Sequence, residues 1–308
     1  MEKIYEIKSG HYTARINLSR GGNCISLKNS KYKANILREP NYMEELDNPY
    51  LYGMPILYPV NRISDGRFEF EGKEYVFPIN EPSTNCHIHG ELHNTEFALI
   101  DKGNDFLLCQ YVSSENKEEI SHEFSITMRY EISSKGLYQE VGIRNLSDEN
   151  MPNFLGFHTT FNIPFSNGSN VKDIAVLTDV EDEIERNMSV YLPTGKILPE
   201  DDITKKLKSG TFNPFECMLS RHYKTGNEKR VEIKDLAKKI KVVYENDEKY
   251  KFRLIYNGNA DEYICLEPMT CMANCQNSPF DREYAGFDYI ESRKTKKYIS
   301  KIYIEEGI

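Results

Sequence analysis

The stretch FSITMRYEI, residues 124–132, carries an apolar side chain at every second position: Phe124, Ile126, Met128, Tyr130 and Ile132. Ser125, Thr127, Arg129 and Glu131 stand between them. Successive side chains of a strand point to opposite faces, so this pattern buries one face and wets the other. The same period recurs on both sides of this stretch. Phe68 and Phe70, then Tyr75, Phe77 and Ile79, flank Glu71-Gly72-Lys73, which predicts a hairpin with glycine in its turn. Leu99 to Val112 predicts a second hairpin about Lys102-Gly103-Asn104-Asp105. Phe252, Leu254 and Tyr256 predict a strand ending at Asn257-Gly258, and a last strand is expected from Tyr298 to Ile304. Helical periodicity is confined to a short segment from Asp235 to Ile240. The stretch from Asn167 to Lys234, with its Asn-Gly-Ser, Pro-Thr-Gly and Asn-Pro turns, reads as loops with a few strands. Many short strands separated by turn residues predict an all-β chain, a large antiparallel β-sandwich. No repeat, low-complexity tract or linker interrupts residues 1–308, which read as one domain.

Hydrophobic residues make up 39% of the 308 and charged residues 28%, enough apolar material for a sizeable core. The net charge of -9 argues against a nucleic-acid partner, because a polyanion repels an acidic surface. The most basic run, Arg293 to Lys297, reads as a solvated strand edge. No apolar run reaches the roughly 20 residues that span a bilayer. The opening MEKIYEIKSG lacks the apolar core of a signal peptide, so a cytoplasmic location and no membrane partner are expected. Seven cysteines, an odd number, read as reduced thiols. Cys265, Cys271 and Cys275 do not have the spacing of a zinc ribbon.

Four places combine polar chemistry with strand context. Asn61 and Arg62 follow the proline-fixed segment Pro55 to Val60; a guanidinium held there donates either to a polar ligand or to a structural carboxylate. His87 and His89 would share one face of a strand, open to a structural role, a polar ligand or, with His93, a metal. His158 lies among aromatic residues in NFLGFHTTFN, residues 153–162, which suits a satisfied core histidine and a sugar site equally. Glu267 ends the apolar strand Tyr263 to Leu266 just before Pro268, a place for a solvated carboxylate or one aimed into a cleft.

In order and spacing these pieces resemble the aldose 1-epimerase (galactose mutarotase) family. The resemblance runs from Gly21-Gly22 through Pro55–Ile63, Gly66–Tyr75, Asn80-Glu81 and Ile88-His89-Gly90. It continues through Asn145, Pro152, Gly156–Asn162, Pro193-Thr194-Gly195 and Leu266-Glu267-Pro268, nearly the whole chain. It implies a galactose-mutarotase-type β-sandwich and anomer exchange on a free hexose such as glucose or galactose. Glu267 then matches the general base that takes the anomeric hydroxyl proton, and His158 the general acid that protonates the ring oxygen. Arg62, His89 and Asn61 match the sugar-binding region, and Glu216 is the nearest counterpart of a sugar-binding aspartate. Free glutamate and histidine titrate near about 4.3 and 6.5, which suits these forms near neutral pH, and a neighbouring carboxylate favours an imidazolium. The implied reaction needs no cofactor and no metal, and its partner is a monosaccharide. A monomer or a homodimer fits the strand pattern equally. Two departures bear on the substrate: Glu91 follows Gly90, and the absence of tryptophan leaves Phe157, Phe161 or one of the 21 tyrosines as the sugar platform. Three other readings compete: a sugar-binding protein without turnover, an epimerase of phosphorylated hexoses with Arg67 near Arg62, and a glycosidase or lyase, which would need a second carboxylate.

Overall fold

The structure, a computed structural model, describes residues 2–113, 120–258, 260 and 262–308. The alternating stretch forms the strand Phe124–Ser133, paired with Gly136–Asn145 in an antiparallel register from Phe124↔Asn145 to Ser133↔Gly136. Its apolar positions are buried. This pair lies inside an antiparallel sheet of eight strands, in the order Ala98–Lys102, Phe106–Val112, Phe124–Ser133, Gly136–Asn145, Thr295–Glu306, Ile240–Asn246, Arg230–Asp235 and Ile174–Thr178. A second sheet runs Leu192–Leu198, Val180–Asn187, Ser220–Thr225, Phe252–Tyr256, Tyr263–Met269, Gly156–Phe157 and Ile56–Leu57. Four N-terminal strands from Ile4–Ser9 to Ala34–Asn35 form a third.

Side chains of all three sheets join one apolar cluster. Polar bonds cross it as well. The fully buried Arg253 donates through Nη1 to Thr178 Oγ1 at 2.8 Å and through Nη2 to Asn246 Oδ1 at 3.1 Å, linking the second sheet to the first. Thr159 Oγ1 and the Tyr244 hydroxyl meet at 3.0 Å across the same gap. Buried polar groups that are satisfied in this way fix how the layers sit on each other.

Both predicted hairpins form. Phe68 faces Tyr75 with rings stacked at 4.8 Å, and Glu71 and Gly72 carry the positive φ values of 50° and 76° that a two-residue turn requires. Ala98–Lys102 and Phe106–Val112 form the other. Arg293 to Lys297 lies at a solvated edge, as expected: residues 295–297 pair with 142–144 on one side only, the strand Ile240–Asn246 joins the other side from Ser300 onward, and Lys296 and Lys297 reach Asp288 and Glu140. One expectation is corrected. Asp235 to Ile240 is no helix but the turn joining two strands, in which Asp235 Oδ1 accepts from the Lys238 amide at 3.0 Å and Lys239 sits at φ 55°. The α-helix of the described residues is Asp202–Ser209, capped by Asp201 accepting from the Thr204 amide and ended by Gly210 at φ 70°. The stretch from Asn167 to Lys234 holds, as expected, a few strands among loops, five of them, together with that helix. No described helix is long and apolar enough to cross a membrane.

Candidate active site

Alternation along the second sheet decides where a pocket is possible. Arg253 and Ile255 point inward between the sheets, so Leu254 and Tyr256 point to the opposite face. By the register Leu254↔Glu267, the Glu267 side chain joins them. Residues 61–62 and 88–89, on the covering segments, and Arg186, Met188 and Tyr191 line a pocket of about 410 Å³ at this face.

Glu267 does not end its strand. Tyr263–Met269 continues through Pro268 and is buried along its whole length, which leaves Glu267 1% exposed. The amides of Leu266 and Thr270 donate to the carbonyls of Thr159 and Leu155, while Pro268 between them has no N–H to give. The chain opposite is interrupted there: Gly156–Phe157 and Thr160–Asn162 are separate strands with His158 in the gap. His158 Nε2 thereby comes to 3.2 Å from Glu267 Oε1. Neither Glu267 Oε1 nor His158 Nδ1 has a hydrogen-bond partner among the described residues. Burial pushes the Glu267 carboxyl up to about 8, opposed by the Arg186 and Arg62 guanidiniums, and pushes the His158 imidazole down to about 3. The expectation of an imidazolium at neutral pH is therefore corrected. Desolvation is the largest cause at both groups, so the neighbouring carboxyl is itself neutral and the proton rests on Glu267.

Asn61, at φ 59°, and His89, at φ 65°, clasp the covering segments together. The His89 amide donates to the Asn61 carbonyl at 3.0 Å, and the Asn61 amide to His89 Nδ1 at 3.3 Å. An accepting Nδ1 leaves the proton of the neutral ring on Nε2, a donor for a ligand. Burial, then His158 and Arg62, hold His89 well below its usual value, so the ring is neutral. The positive φ of His89 also takes it off the strand Cys86–Ile88, so His87 does not share its face. His87 Nδ1 instead bonds the Pro78 carbonyl at 2.8 Å, against Phe77. His93 is buried beside the Tyr50 ring. No group of three His, Cys, Asp or Glu among the described residues has metal-holding geometry, and all seven cysteines are free.

Arg62 forks onto Glu81, with Nε to Oε2 and Nη2 to Oε1 both at 2.6 Å, and its guanidinium lies 4.7 Å from the Tyr191 ring. Asn61 Oδ1 accepts from the Arg62 amide at 2.9 Å. The structure thus gathers Asn61, Arg62, His89, His158 and Glu267 around one pocket. It leaves out Glu216, whose carboxylate meets Lys206 at 2.6 Å beside the helix. Phe157 and Phe161 are fully buried, and tyrosines 191 and 256 line the pocket in their place. The sequence reading missed Arg186 and Tyr191, at the end of Val180–Asn187 and in the turn after it. Neither lies in a recognisable motif.

The sequence model of aldose 1-epimerases matches residues 3–303. A galactose mutarotase of Mus musculus is 26% identical over 175 residues, 53% of this chain and 48% of that protein, so the chain spans about half the length of this curated relative. A galactose mutarotase-like protein from Clostridium acetobutylicum has a solved structure 31% identical to the chain, with a TM-score of 0.94 over 99% of this chain and 98% of that one. The aldose epimerase homologue of C. elegans, 14% identical, shares the fold with a TM-score of 0.80 over 100% of both chains. With the match spanning nearly every residue, the chain belongs to the aldose 1-epimerase family.

Proposed function

We propose that the protein interconverts the anomers of a free aldose by opening and reclosing the sugar ring. The observation that carries this reading is the buried Glu267–His158 pair, with Oε1 and Nε2 3.2 Å apart and Oε1 unsatisfied at the floor of a sugar-sized pocket. Ring opening removes a proton from the anomeric hydroxyl and delivers one to the ring oxygen, two atoms on the same carbon. Two groups at this spacing serve both oxygens. Glu267 takes the hydroxyl proton and His158 protonates the ring oxygen as the C1–O5 bond breaks. Rotation about C1–C2 presents the other face of the aldehyde, and the two protons return by the reverse transfers.

The pair needs one proton between its two members. With His158 near 3 and Glu267 near 8, the pair holds that proton across the intervening range. In the empty pocket the proton rests on Glu267, which is the arrangement needed for reclosure. Sugar hydroxyls donating to the carboxylate, together with the charges of Arg186 and Arg62, favour its transfer to His158 for opening. kcat/KM is therefore expected to fall above about pH 8, where the shared proton leaves and no acid remains. A rate that instead rises through that pH would mean that Glu267 acts as a lone base.

Arg62 and the Nε2–H of His89 orient the sugar hydroxyls. Glu81 positions Arg62, so Glu81→Gln is expected to raise KM about tenfold, on the scale of one charge-assisted hydrogen bond, with a smaller change in kcat. Steady-state polarimetry separates the two constants. The reaction itself is tested by following the optical rotation of freshly dissolved α-anomers. The protein should speed relaxation without altering the end point. No acceleration with any aldose, neutral or charged, overturns the proposal.

A further inference from the structure

The pocket's charges do not balance. Arg62 is neutralised by Glu81. His89 and His158 are held neutral by burial, and Glu267 is held protonated. That leaves Arg186, on the pocket wall, which remains cationic although burial lowers it to about 10. Its Nη2 donates to the Ser220 carbonyl and, at 3.1 Å, to the Ser220 hydroxyl. Both acceptors are neutral. Among the described residues Nε and Nη1 have no hydrogen-bond partner, and no carboxylate lies within ion-pair distance. Of the acids around it, Glu267 acts on it through space but is held protonated, Glu183 bonds Arg221 at 2.9 Å, and Glu81 is held by Arg62. The Tyr191 ring lies 4.7 Å from the Arg62 guanidinium and 5.9 Å from that of Arg186. A largely desolvated cation without a counter-charge is costly, and a ligand of opposite sign removes that cost. Arg67, the other arginine near this region in sequence, is exposed and faces Glu74 at 3.7 Å, outside the pocket.

We infer that the sugar taken by this pocket is an anionic aldose, whose carboxylate or phosphate ester docks on the free donors of Arg186. The inference rests on the ring-opening reading for its reaction, but not for its binding preference. Carboxylate and phosphate share the needed chemistry, an oxyanion accepting charge-assisted hydrogen bonds from a planar guanidinium.

The test compares D-glucose, D-glucuronate and glucose 6-phosphate on the parent protein, Arg186→Met and Arg186→Lys, by calorimetric titration and by anomer-exchange kinetics at fixed ionic strength. At least one anionic sugar is expected to bind about tenfold or more tighter than glucose, and whichever anion leads identifies the source. In Arg186→Met the anionic-to-neutral ratio should collapse toward one, and Arg186→Lys should restore part of it. Preference for glucose over both anions, or a ratio unchanged in Arg186→Met, overturns the inference and leaves Arg186 as a counter-charge for Glu267. Anionic preference without turnover overturns the ring-opening reading and leaves the inference standing. Neither preference nor turnover overturns both.

Discussion

Glu267→Gln is expected to lower kcat for anomer exchange by about a thousandfold, within the range that a positioned acid–base group contributes. The amide keeps the shape of the carboxyl but neither takes nor returns the hydroxyl proton, while its neighbours Leu254, His158 and Pro268 are undisturbed. Two-dimensional exchange spectroscopy of the sugar's anomeric protons, at saturating sugar, reads the rate directly. A variant that keeps a tenth of the parental kcat would remove Glu267 from the mechanism.

The same substitution has a signature in stability. The folded protein holds the Glu267 proton up to about pH 8, whereas an unfolded chain releases it near the ordinary value of 4.5. Between these values the folded state binds more protons, so this group's contribution to stability declines as pH rises and levels off above the folded pKa. Glutamine has no such dependence. The urea midpoint of Glu267→Gln should therefore gain on the parent from about pH 5 to about pH 9. A constant difference would mean that the carboxyl is not held protonated by burial.

Gly90→Ala is the substitution expected to cost most in stability. A Cβ there would stand 2.0 Å from the Tyr58 carbonyl oxygen and 2.5 Å from its carbon, at a φ of 62°. Both atoms are backbone and neither can turn away, so a loss of roughly 3 kcal/mol or more is expected. The damage reaches function because the adjoining His89 carbonyl accepts from the Tyr58 amide and its ring from Asn61. Gly72→Ala is the control: its φ is 76° but nothing lies within 4 Å, so only backbone strain of about 1 kcal/mol remains. Chemical denaturation of the two variants beside the parent checks both figures. Equal losses would place the cost in φ alone, not in the approach of the Tyr58 backbone.

The legible parts of the fold were those where one face of a strand is buried and the other wet. Residues 124–132 announce their sheet because the period survives for nine residues, and the two hairpins because glycine marks the turn. The stretch from Asn167 to Lys234 hid its strands in charge, since VEDEIERN alternates poorly and buries little. The helix Asp202–Ser209 did have its signals, Asp201 before it and Gly210 after it, but an eight-residue helix offers two turns of periodicity at most. At the site, Glu267 and His158 were legible through motif resemblance, although 109 positions separate 158 from 267. Their protonation was not legible, because desolvation depends on what packs around them. Arg186 escaped for a similar reason. An arginine in a polar strand looks like any other surface charge until its partners, or their absence, are known.

The break in the strand beside Pro268 brings His158 to Glu267, and it also means that no single fragment of the chain owns the pocket. Its walls come from residues near 61, 89, 158, 186, 220, 256 and 267, on covering segments and on strands that are neighbours only in the finished sheet. A chain still short of its last third has nowhere to seat a sugar. Binding energy is therefore available only to the completed fold, and by mass action a saturating ligand should deepen the native basin as a whole rather than one corner of it. A sugar that binds there would act as a folding ligand for the chain, holding marginal variants in the native state while it is abundant.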